Sequence, residues 1–209
     1  MQNESLQHLI MLGIGLVASK LWLDDYRRQR RGESLSRAIP GALPSTTRSV
    51  VIASLGGIAI VSAETWGESA LGLTGEQSTI TILFAIYTLV AAIVEEIVFR
   101  GYIVITKKGP ATVAASALGA SVIFAALHPF LWKWTGGMPW ADGKIVLTFG
   151  AKGWFSTGAV FISSLWFYYV RFARFNPQQS LLPCFAAHAS KNAGAIIAKA
   201  FQGFISGFW

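Results

Sequence analysis

Glu95, Glu96, Arg100, His128 and His188 lie inside otherwise apolar runs of this sequence, with Asn192 one turn beyond His188. An ionisable side chain near the middle of a membrane helix costs roughly 2.5 to 3.5 kcal/mol on insertion scales, so it marks a pathway, a partner or chemistry. Carboxylate, imidazole and carboxamide can supply a base for water and hydrogen-bond donors where negative charge develops on an oxygen. Both act more strongly in a water-poor cavity. Glu96 and Arg100 are four apart, so on a helix they form an ion pair that reduces the cost of burying either. Glu95 points about 100° away from that pair and has no local partner.

The elements that must position these groups read as membrane helices. The 209 residues are 53% hydrophobic and only 13% charged, where a soluble domain carries about 25% charged residues. Mean hydropathy is +0.51. The apolar residues gather in long runs, as spanning by helices requires, because each backbone polar group must be satisfied within its own segment. Disordered, collagenous and disulfide-stapled chains are excluded. Cys184 is the single cysteine, so no intrachain disulfide or C-x-x-C metal site exists. The net charge of +7 would suggest nucleic acid in a soluble protein, but its placement along the chain follows membrane topology instead.

The expected fold class is all-α, a polytopic transmembrane bundle of about six spans. The runs are Leu6–Leu23, Ser49–Ala63, Ile80–Ile105, Ala111–Leu131, Ile145–Val170, and one from Leu181 to the C-terminus. The second reaches only about 22 Å against a hydrocarbon core of about 30 Å and is the weakest. Glu64, Glu68 and Glu76 then fall in an outside loop. Arg27, Arg28, Arg30, Arg31, Arg37 and Arg48 follow the first run, Lys107 and Lys108 the third, and Arg171 and Arg174 the fifth. This bias puts loop 24–48 in the cytoplasm and both termini outside, with the chain integral to a bacterial-type cytoplasmic membrane. Trp132, Trp134, Pro139 and Trp140 read as an interface belt. Small residues spaced four apart, Ala115 with Gly119, Ala117 with Ser121, and Ala186, Ser190, Gly194 and Ala198, read as close-packing faces. Lys152, Lys191 and Lys199 snorkel or line a wet cavity, and His8 is an interface residue. Without repeats or linkers, 1–209 reads as a single membrane domain, with accessory spans and the basic loop in 1–77 and a catalytic core in 78–209.

Depths counted from loop anchors, at 1.5 Å per residue, are about 18 Å for Glu95, 26 Å for His128, 12 Å for His188 and 18 Å for Asn192. Three helices thus bring the polar groups to comparable levels, with tilt and a kink near Pro129 closing the spread.

The residues Glu95-Glu96-Ile97-Val98-Phe99-Arg100, Phe124 to His128, and His188 to Asn192 resemble, in order, the EExxxR, FxxxH and HxxxN signatures of the CPBP family. These are CAAX-protease and bacteriocin-processing intramembrane proteases, typified by the Rce1-type CAAX prenyl endopeptidase. The resemblance covers roughly residues 90 to 195. It implies a glutamic-type intramembrane endopeptidase in which Glu95 is the general base, His128 orients or activates water, and His188 and Asn192 stabilise the oxyanion. Glu96, Arg100 and Phe124 support them. The substrate it implies is a membrane-anchored protein or peptide, whether prenylated, a peptide precursor or sorting-tagged.

Other functions use the same residues. Two histidines and a carboxylate could hold zinc with an open fourth position, although no H-E-x-x-H helix is present. A non-catalytic binding or immunity protein could hold a peptide in the same cavity, and a proton or ion transporter could use the groups as a relay. No cofactor is expected: neither a P-loop nor a strand-glycine-helix fingerprint occurs. The expected partners are the membrane-tethered substrate and the lipid bilayer, with no nucleic acid.

Overall fold

A computed structural model describes residues 2–106, 108–137 and 142–209. Lys107, Pro139 and Trp140, read above as turn and interface residues, lie outside the described residues. The protein is an all-α membrane helix bundle, 68% helical. Its helices are α1 (Gln2–Arg30), α2 (Thr47–Ala70), α3 (Ile82–Glu96), α4 (Pro110–Leu127), α5 (Ala151–Phe172) and α6 (Leu182–Phe201). A π-helical segment, Ile97–Ile103, continues α3. Four stretches are long and apolar enough to cross a membrane: Ser5–Arg30, Thr47–Ala70, Ile82–Ile103 and Pro110–Leu127. In α5 and α6 buried polar residues, among them Ser156, Ser163, Ser164, His188 and Lys191, dilute the apolar character.

Local chemistry sets the helix ends. The Thr46 hydroxyl accepts from the Ser49 amide at 3.1 Å and the Thr81 hydroxyl from the Phe84 amide at 3.2 Å, capping α2 and α3. Pro110 begins α4, where its missing N–H is no loss. The far end of α4 departs from expectation: the helix stops at Leu127 and His128 is extended, with φ −78° and ψ 126°. Pro129 is the cause, since its ring forces the preceding residue out of helical geometry. His128 therefore occupies a helix terminus and not the interior of a kinked span.

Three other span limits also shift. Ile145 to Leu147, expected to open the fifth span, belong to a strand, β3 (Lys144–Leu147), paired antiparallel with β2 (Trp132–Thr135). Its β-branched Ile145 and Val146 fit the pleated pair, and α5 begins only after Gly150. The last helix ends at Phe201, and the chain then forms β4 (Ile205–Ser206), parallel to β1 (Ile80–Thr81) at the start of α3. Helix α2 runs on to Ala70, so Glu64 and Glu68 belong to it and not to a loop. Both are paired there, Glu64 with Lys191 at 3.0 Å and Glu68 with Lys152.

Close packing of α2 on α6 depends on Gly57 and Gly194. A Cβ at Gly57 would lie 2.3 Å from the Ala187 carbonyl oxygen, and one at Gly194 2.5 Å from a Val61 methyl. Gly119 of the α4 stripe faces open space instead. The buried core joins Trp22, Ala42 and Ala53 to Ile97, Phe167, Leu181, Cys184 and Phe185. His8 packs between Phe84 and Tyr87, with ring centroids at 5.1 and 5.3 Å.

Candidate active site

Three helices and the π-helical segment meet around one imidazole. His188, two turns into α6, places Nδ1 2.8 Å from Glu96 Oε1 and Nε2 3.7 Å from Glu95 Oε2. An ionised carboxylate only accepts, so Nδ1 carries the proton donated to Glu96, and Nε2 faces Glu95. Phe167 of α5 stacks on the ring at 4.6 Å and fixes its plane. Glu95, alone on its own helix, thus faces an imidazole nitrogen across the bundle.

The two adjacent glutamates have opposite surroundings. Glu96 is fully buried, its Oε1 3.2 Å from Arg100 Nη1. Glu95 keeps a third of its side chain exposed. Arg100 is also fully buried, and Nη2 donates to Ser164 Oγ at 2.6 Å and to the Ser164 carbonyl at 3.2 Å. Ser164 donates in turn to Ser121 of α4 at 2.9 Å. The guanidinium lies 4.6 Å from the Phe124 ring centre, 4.7 Å from Tyr168 and 5.2 Å from Phe167. These faces offset part of the cation's desolvation. The wider turn of the π-helix carries Arg100 in this place, and such segments recur at functional sites.

His128 stands at the end of α4, with Nδ1 2.8 Å from the Phe124 carbonyl. That oxygen is one of those a helix end leaves free, so the ring donates from Nδ1 and presents Nε2 as a lone pair. Its ring lies 4.8 Å from Phe124, which lies 6.2 Å from His188. Glu95, His188 and Lys191 are all within electrostatic reach of it. Asn192 is anchored apart: its Nδ2 donates to the Thr88 carbonyl of α3 at 3.2 Å, leaving the second amide hydrogen and the amide oxygen.

Sequence reasoning missed Ser121, Ser164, Phe167, Tyr168 and Glu64. A signal existed for the α5 residues, since Ser156, Val160, Ser163, Ser164, Phe167, Tyr168 and Arg171 make one buried stripe at helical spacing. Among the described residues, no three His, Cys, Asp or Glu side chains are gathered as a metal set.

This convergence of α3, α4 and α6 falls within the stretch that a known family covers. The model for type II CAAX prenyl endopeptidase Rce1-like proteins matches residues 77–194, more than half of the chain. The chain belongs to the Rce1-like family. It is therefore a CAAX-type intramembrane protease in general outline and an integral membrane protein. The Rce1-like match contains all three motifs and leaves out α1 and α2. Neither a curated protein nor a solved structure matches the chain.

Proposed function

We propose that the chain is a glutamic endopeptidase that cuts a membrane-anchored protein or peptide, with Glu95 as general base. The observation supporting this most directly is His188, hydrogen-bonded to the buried Glu96 while its free nitrogen faces the partly exposed Glu95. Water held between Glu95, His188 Nε2 and His128 Nε2 loses a proton to the Glu95 carboxylate as its oxygen attacks the carbonyl carbon. The oxyanion is stabilised by Asn192, through its free amide hydrogen, and by His188 in its imidazolium form, in which Glu96 holds Nδ1–H while Nε2–H, gained from solvent before substrate binds and returned to it after release, donates to the oxyanion. Collapse breaks the C–N bond, and protonated Glu95 returns its proton to the leaving amine. Glu96 and Arg100 hold the imidazole and take no proton. Phe124 packs between His128 and the Arg100 guanidinium.

The mechanism uses no metal. The test is cleavage of a library of membrane-anchored peptides by the purified protein in proteoliposomes. Glu95→Gln and His128→Ala are each expected to lower turnover by about 10² to 10⁴-fold, the usual contribution of a positioned acid or base. Unaltered cleavage by Glu95→Gln would remove the assignment. Turnover abolished by a chelator and restored by stoichiometric zinc would replace the mechanism with a metal-assisted one.

A further inference from the structure

A second set of charges leads away from the site towards the end of the bundle where α2 and α6 terminate. Lys191, buried between His188 and Asn192 in sequence, has Nζ 3.0 Å from Glu64 Oε2. Glu68, one turn further along α2, pairs with Lys152 of α5 and accepts from Gln77 at 2.6 Å. Gln77 reaches Gln202 at 3.0 Å, and Lys199 donates to the Ser78 carbonyl at 2.7 Å. Lys199 is within electrostatic reach of Lys152, Glu68 and Glu64. On α6, His188, Lys191, Ala195 and Lys199 recur at steps of three and four, with Asn192 next to Lys191, a stripe about 16 Å long. On α5, the buried Ser156 stands one turn from Lys152.

These groups are poorly explained as a dry structural cluster. Buried charges at this depth need partners or water, and the third ammonium, Lys199, lies partly exposed at the outer end, so the stripe opens to solvent there. Glu64 Oε2 is buried and has no aligned hydrogen bond among the described residues, although Lys191 lies close. Buried polar atoms left in this way are commonly satisfied by water. Hydrolysis also consumes one water for each peptide bond broken.

We propose that this file of charges is the route by which water reaches Glu95 and His188 from that end of the bundle, with the Lys191–Glu64 pair as its inner end. The water's destination rests on the protease reading; the hydration itself does not. X-ray radiolysis of the protein in nanodiscs generates hydroxyl radicals from the water present, so oxidation mapped by mass spectrometry reports water contact residue by residue. After normalisation for each side chain's intrinsic reactivity with hydroxyl radical, Lys191 and His188 of the wild-type protein are expected to be oxidised about ten-fold faster than the exposed apolar Ile86 of α3. Plugging the file from either wall, with Ala195→Leu on α6 or Ser156→Leu on α5, should lower oxidation of both residues about ten-fold and leave Lys199, beyond the plug, unchanged. Unchanged oxidation of His188 and Lys191 in both plugged proteins would overturn the route. Because the readout needs no substrate, labelling that behaves as expected in a protein that cleaves nothing would sink the protease reading alone.

Discussion

Glu95 and Glu96 are neighbours in sequence and opposites in energetic role. Glu96 is locked between Arg100 and His188 with no exposed surface, so Glu96→Gln leaves a buried guanidinium without its counter-ion. Removing one member of a buried pair costs about 3 to 5 kcal/mol, and thermal unfolding in detergent should show a correspondingly large fall in Tm. Glu95→Gln removes a third-exposed carboxylate and is expected to change stability by no more than about 1 kcal/mol while lowering turnover by about 10² to 10⁴-fold. The contrast separates scaffold from chemistry, because a site in which both glutamates were catalytic would lose activity at each without the difference in Tm. Ser164→Ala tests the other side of the arginine. It deletes the acceptor 2.6 Å from Nη2 and should lower stability by about 1.5 to 3 kcal/mol, the range for hydrogen bonds to charged groups, with a larger effect on Tm than Ser163→Ala.

At the level of elements, α2 and α6 touch where glycine permits it. Gly57→Val would drive a side chain into the Ala187 carbonyl, which belongs to backbone and cannot rotate away. A loss of about 1 to 3 kcal/mol is expected. Gly119→Ala, with nothing within 4 Å of its Cβ, should stabilise α4 by up to about 1 kcal/mol through helix propensity. Thermal unfolding of the two variants compares them directly, and a destabilised Gly119→Ala would contradict the open face. Small-residue spacing in the sequence marked the α6 face and the Ala117–Ser121 pair of α4 correctly and could not tell them from Ala115–Gly119, because spacing says that a face permits close approach and not that a neighbour is there. Span limits failed where polar or proline residues broke the match between hydropathy and helix: Pro129 ended α4 before His128, and α2 ran on through the paired Glu64 and Glu68. The glutamate, histidine and arginine positions were legible because charges in apolar runs are conspicuous. The Asn192 bond to Thr88 and the Ser164–Ser121 relay join residues far apart in the chain, and only tertiary packing reveals them.

For the whole molecule, the family match begins at residue 77, yet the candidate site is not independent of what precedes it. Glu64 on α2 is the counter-ion of Lys191, and Gly57 seats α2 against Ala187 and Ser190, beside His188. The loop after α1 folds back under the start of α6: the Leu181 amide donates to Gly41 O at 2.9 Å and Ser180 Oγ to Leu43 O at 2.6 Å. Trp22 packs edge-on against Phe185 at 4.7 Å. A fragment comprising 78–209 would expose this whole seam and leave Lys191 unpaired in an apolar setting, at about 2.5 to 3.5 kcal/mol for the charge alone. It should therefore insert but lose both cooperative unfolding and cleavage. Helices that insert separately can associate afterwards through packing and polar contacts. Co-expressing 1–77 with 78–209 should accordingly yield a complex that copurifies and recovers cleavage, and Gly57→Val in the smaller piece should weaken both. If 78–209 alone unfolds cooperatively and cleaves at the rate of the intact chain, α1 and α2 are dispensable passengers, and the Glu64–Lys191 pair has no bearing on the site.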